Sequence, residues 1–397
     1  MDNQNENYME QFKVISKILN SNYDDRINLF LDNIELLKNV YFIVPDPCNI
    51  GINYMKKFND LNIDDIGVNY FFTSESLYCF NSNSIKADLM CKSCPLKIES
   101  LICLDTQIQS YLYRKYQNKN NSIPDNIDQI LKLIKDRKWG IDCFAYTVEN
   151  TLFNNEFFKS QIYFDNMYAF ERYFFHKKSK AKWYTNKLLK YTEEVFKYDF
   201  SDWYRRQYKL YYLELLVMAD IKLNKPNLSL FDKEKEYVKF FHEKINMLSD
   251  REANLAKLYF MYGTKISFFV KIQKGSKNIV SNLKNMAWDI FHIHNTINNL
   301  ARQTDKMIDF TIPFFVTYDK RLKDILPIYK IKAIAFIKNT ADKHFNYVTD
   351  LMDPIIKNEY FFVDAFQKRH ENIKKTYEKL LIEIVDSFIY YYEKNLS

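Results

Sequence analysis

The chain of 397 residues holds 31 Tyr, 33 Phe and 4 Trp against only 5 Gly and 8 Pro, and its 57 Lys and Arg exceed its 50 Asp and Glu by a net charge of +7. That much aromatic bulk can fill a large core, which excludes global disorder. So few glycines exclude Gly-rich repeats, and neither a Walker A loop nor a GxGxxG fingerprint is present; the mild basic excess permits an anionic partner without requiring one.

In chain order, residues 1–45 read as helical, with apolar residues at helical spacing through Phe12, Ile15, Ile18 and Leu19 and again through Leu29, Leu31, Ile34 and Leu37. Tyr41–Val44 is a short apolar strand before Pro45-Asp46-Pro47. Residues 48–100 look irregular, with strand candidates at Tyr70–Thr73 and Ser76–Phe80. Ser100–Leu104 reads as a buried strand stopped by Asp105-Thr106, and a helix follows through Ile108, Tyr111, Leu112 and Tyr116. Asn118–Pro124 is a polar loop, Ile127–Ile134 an amphipathic helix, and Asp142–Phe153 a further helix that contains Glu149. Residues 155–262 are helical in pattern, with breaks near Asn224–Asn227 and Ser249-Asp250, and Gln273–Asn278 is a loop. A helix is expected from Ile279 to Gln303, then a strand over Pro313–Thr317 ended by Tyr318-Asp319, and helices again over 320–397 with a break at Asp353-Pro354.

The start of the chain, with Asp2, Glu6, Glu10, Lys13 and Lys17 and no long apolar core, does not read as a secretory leader. The expectation is therefore a cytoplasmic protein with free thiols, and no apolar run is long enough for a membrane partner. Of the six cysteines, at 48, 79, 91, 94, 103 and 143, only Cys91-Lys-Ser-Cys94 has metal-ligand spacing. Its second pair is missing, so small buried cysteines are preferred to a structural zinc site.

Two strands end alike: Leu101–Leu104 runs into Asp105, and Phe314–Thr317 runs into Asp319. In open α/β sheets ligands sit beyond the carboxyl ends of the strands. Glu149 and Asp289 lie on helices that could face the same edge, in the order Asp105, Glu149, Asp289, Asp319. Clustered carboxylates repel one another unless a hard cation intervenes, and Mg²⁺ or Mn²⁺ prefers such oxygen ligands. An ion held there can activate water for hydrolysis of a phosphodiester.

Ile102-Cys-Leu-Asp-Thr106 resembles the opening strand and first acid of PIN-domain nucleases, and Val316-Thr-Tyr-Asp-Lys-Arg-Leu322 resembles their closing strand and last acid. Ala145-Tyr-Thr-Val-Glu149-Asn150 is similar to the helix of the second acid, and Asn285-Met-Ala-Trp-Asp289 to that of the third. The resemblance covers residues 100–153 and 279–326. It implies an α/β fold with a Rossmann-like parallel sheet, heavily elaborated by helices and predominantly helical overall. It also implies Mg or Mn as cofactor, RNA as the commonest substrate, Asp105, Glu149, Asp289 and Asp319 as catalytic metal ligands, and Thr106 and Thr317 as supporting hydroxyls. His292, three residues after Asp289, is a further supporting candidate. The organisation that follows is an N-terminal region 1–99, a PIN-like domain 100–326 interrupted by a helical insertion at about 155–275, and C-terminal helices 327–397.

Alternatives stay open at several positions. Glu156 or Glu171 could replace Glu149, and Asp305 or Asp309 could neighbour the metal or be surface acids. Asp105 and Asp319 could each simply cap the helix that follows. His292 and His294, two apart, point to different helix faces and cannot form an i, i+4 clamp. Lys178, Lys180, Lys182 and Trp183 form a basic, aromatic stretch suited to phosphates and bases, with Arg205 and Arg206 after Trp203 as a second; solvated helix faces are the plainer reading of both. The rival to a nuclease is a non-catalytic helical scaffold or partner-binding protein, with its N- or C-terminal helices as the docking elements, or a nucleic-acid binder that has lost cleavage. The size and added helices suggest a defence-type nuclease or toxin.

Overall fold

The computed structural model describes residues 2–47, 52–53, 67–90, 92, 96–119, 123–124, 127–129, 132, 140–153, 161–174, 177–197, 200–301, 308–337, 343–361 and 378–396. The chain is mixed α/β and predominantly helical. It divides into two compact units: Met1–Ala145 with Asn295–Tyr318 and Lys330–Val348, and Tyr146–His294 with Asp319–Tyr329 and Thr349–Ser397. Residues 100–326 contribute to both.

The first unit holds every strand among the described residues. Helices α1 (Asp2–Asn20) and α2 (Tyr23–Asp32) lead into β1 (Val40–Pro45), β2 (Ile52–Asn53), β3 (Val68–Tyr70) and β4 (Ser76–Phe80). Then come α3 (Ser82–Leu89), β5 (Ile98–Leu104), α4 (Thr106–Tyr116), β6 (Gly140–Asp142), β7 (Phe310–Val316), β8 (Ile331–Ile337) and β9 (Lys343–Tyr347). One sheet has the order β2-β4-β1-β8-β9 and is antiparallel throughout. Alternate residues of its strands face one way: Val40, Phe42 and Val44, with Phe80, Ala333 and Ala335, meet Ile15, Ile18 and Leu19 of α1 and Phe30 of α2. The register sets Phe42 opposite Phe80, their rings stack at 5.0 Å, and Phe30 meets both edge-on at 5.5 and 5.1 Å.

The second sheet has the order β3-β7-β5-β6, with β7, β5 and β6 parallel and β3 antiparallel to β7. Every residue of β7 is buried, and Phe310 meets Tyr41 and Phe336 of the other sheet. β3 pairs with Phe314–Val316, so among the described residues Pro313 is laddered on one side, where a missing N–H is tolerated.

Three sequence readings are corrected in this unit. Asp142 ends strand β6 and does not start a helix; the helix begins at Phe144, whose N–H donates to Asp142 Oδ1 at 2.7 Å. Residues 320–397 are not all helical: Ile331–Ile337 and Lys343–Tyr347 are strands, because the apolar run is buried between β1 and β9. A stretch read as irregular contains α3, whose Asn81 forms a capping box with Ser84.

The second unit is helical among its described residues. It takes α5 (Phe144–Thr151) from Tyr146 onward, then α6 (Gln161–Phe174), α7 (Lys178–Lys197), α8 (Phe200–Asn224), α9 (Leu230–Phe240) and a π-helical turn at Phe241–Ile245. α10 (Asp250–Tyr262) and α11 (Ile279–Asn298) follow, the latter passing to the first unit at Asn295, and then α12 (Pro354–Tyr360) and α13 (Glu378–Leu396). α8 is the centre of this unit: Leu213, Leu215, Leu216, Val217, Met218, Ala219 and Ile221 are all buried, an apolar surface on every side that needs helices all round it. α13 supplies one of them. Phe388 and Tyr392 pack on Phe240 of α9, and Lys209 and Tyr212 of α8 bond Asp386 and Glu393. Among the described residues no helix is long and apolar enough to cross a membrane.

Candidate active site at the carboxyl edge of the parallel strands

Strand β5 leads through α4 to β6 on one side of it, and the chain later returns as β7 on its other side. The strand order therefore reverses at β5, and the crevice outside the carboxyl ends of β5 and β7 is a topological switch point, where open α/β sheets place their ligands. Asp105 and Thr317 stand there. Asp105 is buried, continues the ladder by donating its N–H to Val316 at 3.0 Å, and occupies the N-cap position of α4. Its side chain makes no cap bond. Instead the Thr317 hydroxyl donates to Asp105 Oδ2 at 2.7 Å.

Gly67 fixes where Thr317 sits. Its carbonyl accepts the Thr317 N–H at 3.0 Å, its φ is +64°, and a Cβ there would lie 2.2 Å from the Thr317 carbonyl oxygen. No side chain fits at that approach. Thr106 is the first residue of α4, and its carbonyl accepts from Ser110 Oγ at 3.2 Å.

Two residues that sequence reading missed complete this edge. Asp142 ends β6 level with Cys103. The Asn299 side-chain amide donates to Asp142 Oδ2 at 2.7 Å and to Cys103 Sγ at 3.3 Å. Gly140-Ile-Asp142 is too short to show a strand period, and Asn299 lies in the turn after α11 with no motif around it.

The other sequence candidates belong to the second unit. Glu149 of α5 meets His292 Nε2 of α11 through Oε2 at 2.8 Å. His292 is 2% exposed and stacks on Trp288, which in turn packs on Tyr208 at 4.2 Å. Burial, with the Glu149 and Glu393 carboxylates, pushes the Tyr208 phenol up. His294, two residues on, takes a separate partner, Glu252, at 2.6 Å.

Asp319 caps the 3₁₀ turn Lys320–Asp324 by accepting the Arg321 N–H at 2.9 Å. The Arg321 guanidinium clasps both of its oxygens, with Nε at 2.9 and 3.0 Å and Nη2 closer still. Burial would raise the Asp319 carboxyl, but the bonds and charge of Arg321, with Lys271, outweigh it and hold the group below its ordinary value. Asp289, half-buried on α11, lies within electrostatic reach of the same guanidinium. The capping reading thus describes Asp319 and does not describe Asp105.

Asp309 precedes β7 and accepts the Lys97 N–H at 2.9 Å, at the opposite end of the parallel strands from Asp105. Burial pushes the Glu171 carboxyl up to about 7. Glu156, Asp305, Cys91 and Cys94 lie outside the described residues. In neither unit by itself do three or more His, Cys, Asp or Glu among the described residues form a group that could hold a metal ion.

Of the basic stretches, Lys178, Lys180, Lys182 and Trp183 are exposed on α7. Arg205 is used internally: its Nε donates to the Leu152 carbonyl at 3.0 Å and its Nη1 pairs with Asp202 at 3.3 Å. Arg206, its neighbour on α8, is half-buried. Compared with protein-family models, curated proteins and solved structures, the chain matches none.

Proposed function

We propose that the chain is a metal-dependent nuclease of PIN type that hydrolyses phosphodiesters in RNA, with Asp105 at its reactive edge. The observation that carries this reading is the Asp105–Thr317 pair: a buried carboxylate at a switch point, turned from its helix cap to a hydroxyl just past the end of the next parallel strand. The donor set suits a hard cation. Asp105 and Asp142 offer carboxylate oxygens from adjacent parallel strands, and Mg²⁺ is commonly held by one or two carboxylates with waters and substrate oxygens. When bound, such an ion supplies an activated water and offsets charge on the phosphodiester. The chain's own part is orientation: Thr317 holds Asp105 and Asn299 holds Asp142, so both carboxylates are set before a substrate arrives. Glu149, Asp289 and Asp319 belong to the second unit, and the reading rests on the first unit's residues alone.

The test is cleavage of a labelled single-stranded RNA in Mg²⁺ or Mn²⁺. Thr317→Val is expected to lose about 10–100-fold, as orienting partners of metal ligands do. Asp105→Asn is expected to lose more. Wild-type rates in Asp105→Asn would overturn the reading. A second reading, a nucleic-acid binder without cleavage, is favoured by the clasp of Arg321 on Asp319, which already occupies that carboxylate. In that case the wild type binds the RNA and leaves it intact with either metal.

A further inference from the structure

The exposed face of α7 carries a pattern that the reaction does not use. From Arg172 to Thr192 the sequence contains Arg172, Lys177, Lys178, Lys180, Lys182, Lys187 and Lys190 and no acid. The helix is amphipathic: Ala181, Thr185 and Thr192 are buried and Leu188 and Leu189 half-buried, while Lys178, Lys180, Lys182, Trp183, Asn186, Lys187 and Lys190 are exposed. Its inner face packs on α6. Trp183 is 57% exposed, although a free-standing indole gains from burial. Neighbours on a helix surface are three and four residues apart. Lys180 and Lys187 therefore flank Trp183 along the helix, and Lys190 follows Lys187. The Lys187 ammonium sits 5.3 Å from the Trp183 ring centre, and the Tyr184 ring stands perpendicular to the indole at 4.8 Å.

The geometry points to α7 as a docking surface for single-stranded nucleic acid, with Trp183 stacking a base and Lys180, Lys187 and Lys190 neutralising the phosphates on either side of it. Charge complementarity selects a polyanion. The exposed indole among the lysines selects one with accessible flat faces: a duplex hides its bases within the stack, and an acidic peptide would satisfy the lysines but not the ring. The surface holds a strand whether or not the chain cleaves it, so the inference stands apart from the nuclease reading.

The experiment uses the full chain in EDTA, which prevents metal-dependent cleavage. Binding of short labelled RNA and DNA strands and of a hairpin duplex is followed by anisotropy over a range of salt. A Lys180→Gln, Lys187→Gln, Lys190→Gln variant is expected to flatten the slope of log K against log salt by about 2, since each single-strand phosphate contact contributes roughly 0.7. Trp183→Ala is expected to weaken binding at least about fivefold with the slope unchanged, as loss of one stacked base does. All four side chains are exposed, and circular dichroism checks that the variants stay folded. Wild-type affinity and slope in the lysine variant would overturn the inference. So would tighter binding of the duplex than of the strand, or equal competition by polyglutamate. Loss of RNA cleavage in Asp105→Asn with strand binding intact separates the two proposals.

Discussion

At the scale of single residues, the edge of the parallel strands depends on contacts that tolerate little change. Thr317 is placed by a glycine far from it in sequence. Gly67 is one of only five glycines, and its backbone takes a left-handed φ against the Thr317 carbonyl. Gly67→Ala is expected to lower stability by at least about 1 kcal/mol from the left-handed conformation alone. The clash with a backbone oxygen adds to this, because no flexible side chain is there to move aside. Thermal unfolding measures the loss, and a Gly67→Ala protein as stable as wild type would show that the close approach does not exist in solution. Part of this site is legible in the sequence. An apolar run ending in Asp marks Asp105 and Asp319 equally, yet one carboxylate turns to a neighbouring strand and the other to Arg321, two residues on. That difference is tertiary, since Thr317 reaches Asp105 across 212 residues. Asp142, Asn299 and Gly67 carry no local signal and become meaningful only once the strand order is known.

At the scale of elements, strands β1, β4, β5 and β7 are readable because each is a short apolar run closed by turn-forming or polar residues. β8 is not, because Ile331-Lys-Ala-Ile-Ala-Phe-Ile satisfies helical and extended patterns alike, and only β1 and β9 decide between them. The helices of the second unit are legible as helices, but their polar junction is not. Glu214 of α8, Tyr237 of α9, Glu252 of α10, His294 of α11 and Tyr329 of the 3₁₀ turn Leu326–Tyr329 meet inside it. Burial and the charge of Glu252 raise the Glu214 carboxyl well above its ordinary value. Burial also acts to raise Glu252, but His294, with the Ser249 hydroxyl and a backbone bond, brings it below. One proton is thereby assigned to Glu214 and a charge to Glu252. The sign of the pH dependence follows. Below the ordinary value of 4.5 the unfolded Glu214 is protonated as well and costs nothing. Above it the unfolded chain releases a proton that the folded chain keeps, so stability falls as pH rises. Glu214→Gln removes that penalty. Its melting temperature relative to wild type is expected to be higher at pH 8 than at pH 4, and a difference that is flat or falls with pH would sink the assignment. Glu252→Ala removes the acceptor of the Tyr329 hydroxyl and the partner of His294 Nε2, and is expected to cost roughly 1–3 kcal/mol for each buried group so orphaned, read by thermal unfolding.

At the scale of the whole molecule, the chain crosses between its units rather than completing one before the next. The first unit is built from Met1–Ala145, Asn295–Tyr318 and Lys330–Val348, and the second from the stretches between and after them. Sequence reading sees long helical runs flanking two separated strand motifs and assigns domains by position. The strand pairings show why position misleads: β5 ladders with β7, and β1 with β8, across more than half the chain. The aromatic, glycine-poor composition is shared by both units, as Phe30, Phe42 and Phe80 in one and Tyr237, Phe240 and Phe241 in the other show. Local content therefore does not mark the boundary. The interleaving makes a definite prediction about the fragment Met1–Ala145. It contains α1 to α4 and β1 to β6, which looks like a sufficient domain. It lacks β7, leaving β5 with β6 alone, and it lacks β8, which removes Ala333 and Ala335 from beneath α1 and α2 and leaves one side of β1 unpaired. Exposed apolar strand edges of this kind associate rather than fold. The fragment is expected to show no cooperative thermal transition and little amide protection in β1 and β5, whereas the full chain protects both. Cooperative unfolding of Met1–Ala145, with protected amides in those strands, would mean that the early segments fold without their later partners. The strand order would then be a late addition to an existing domain rather than the condition for one.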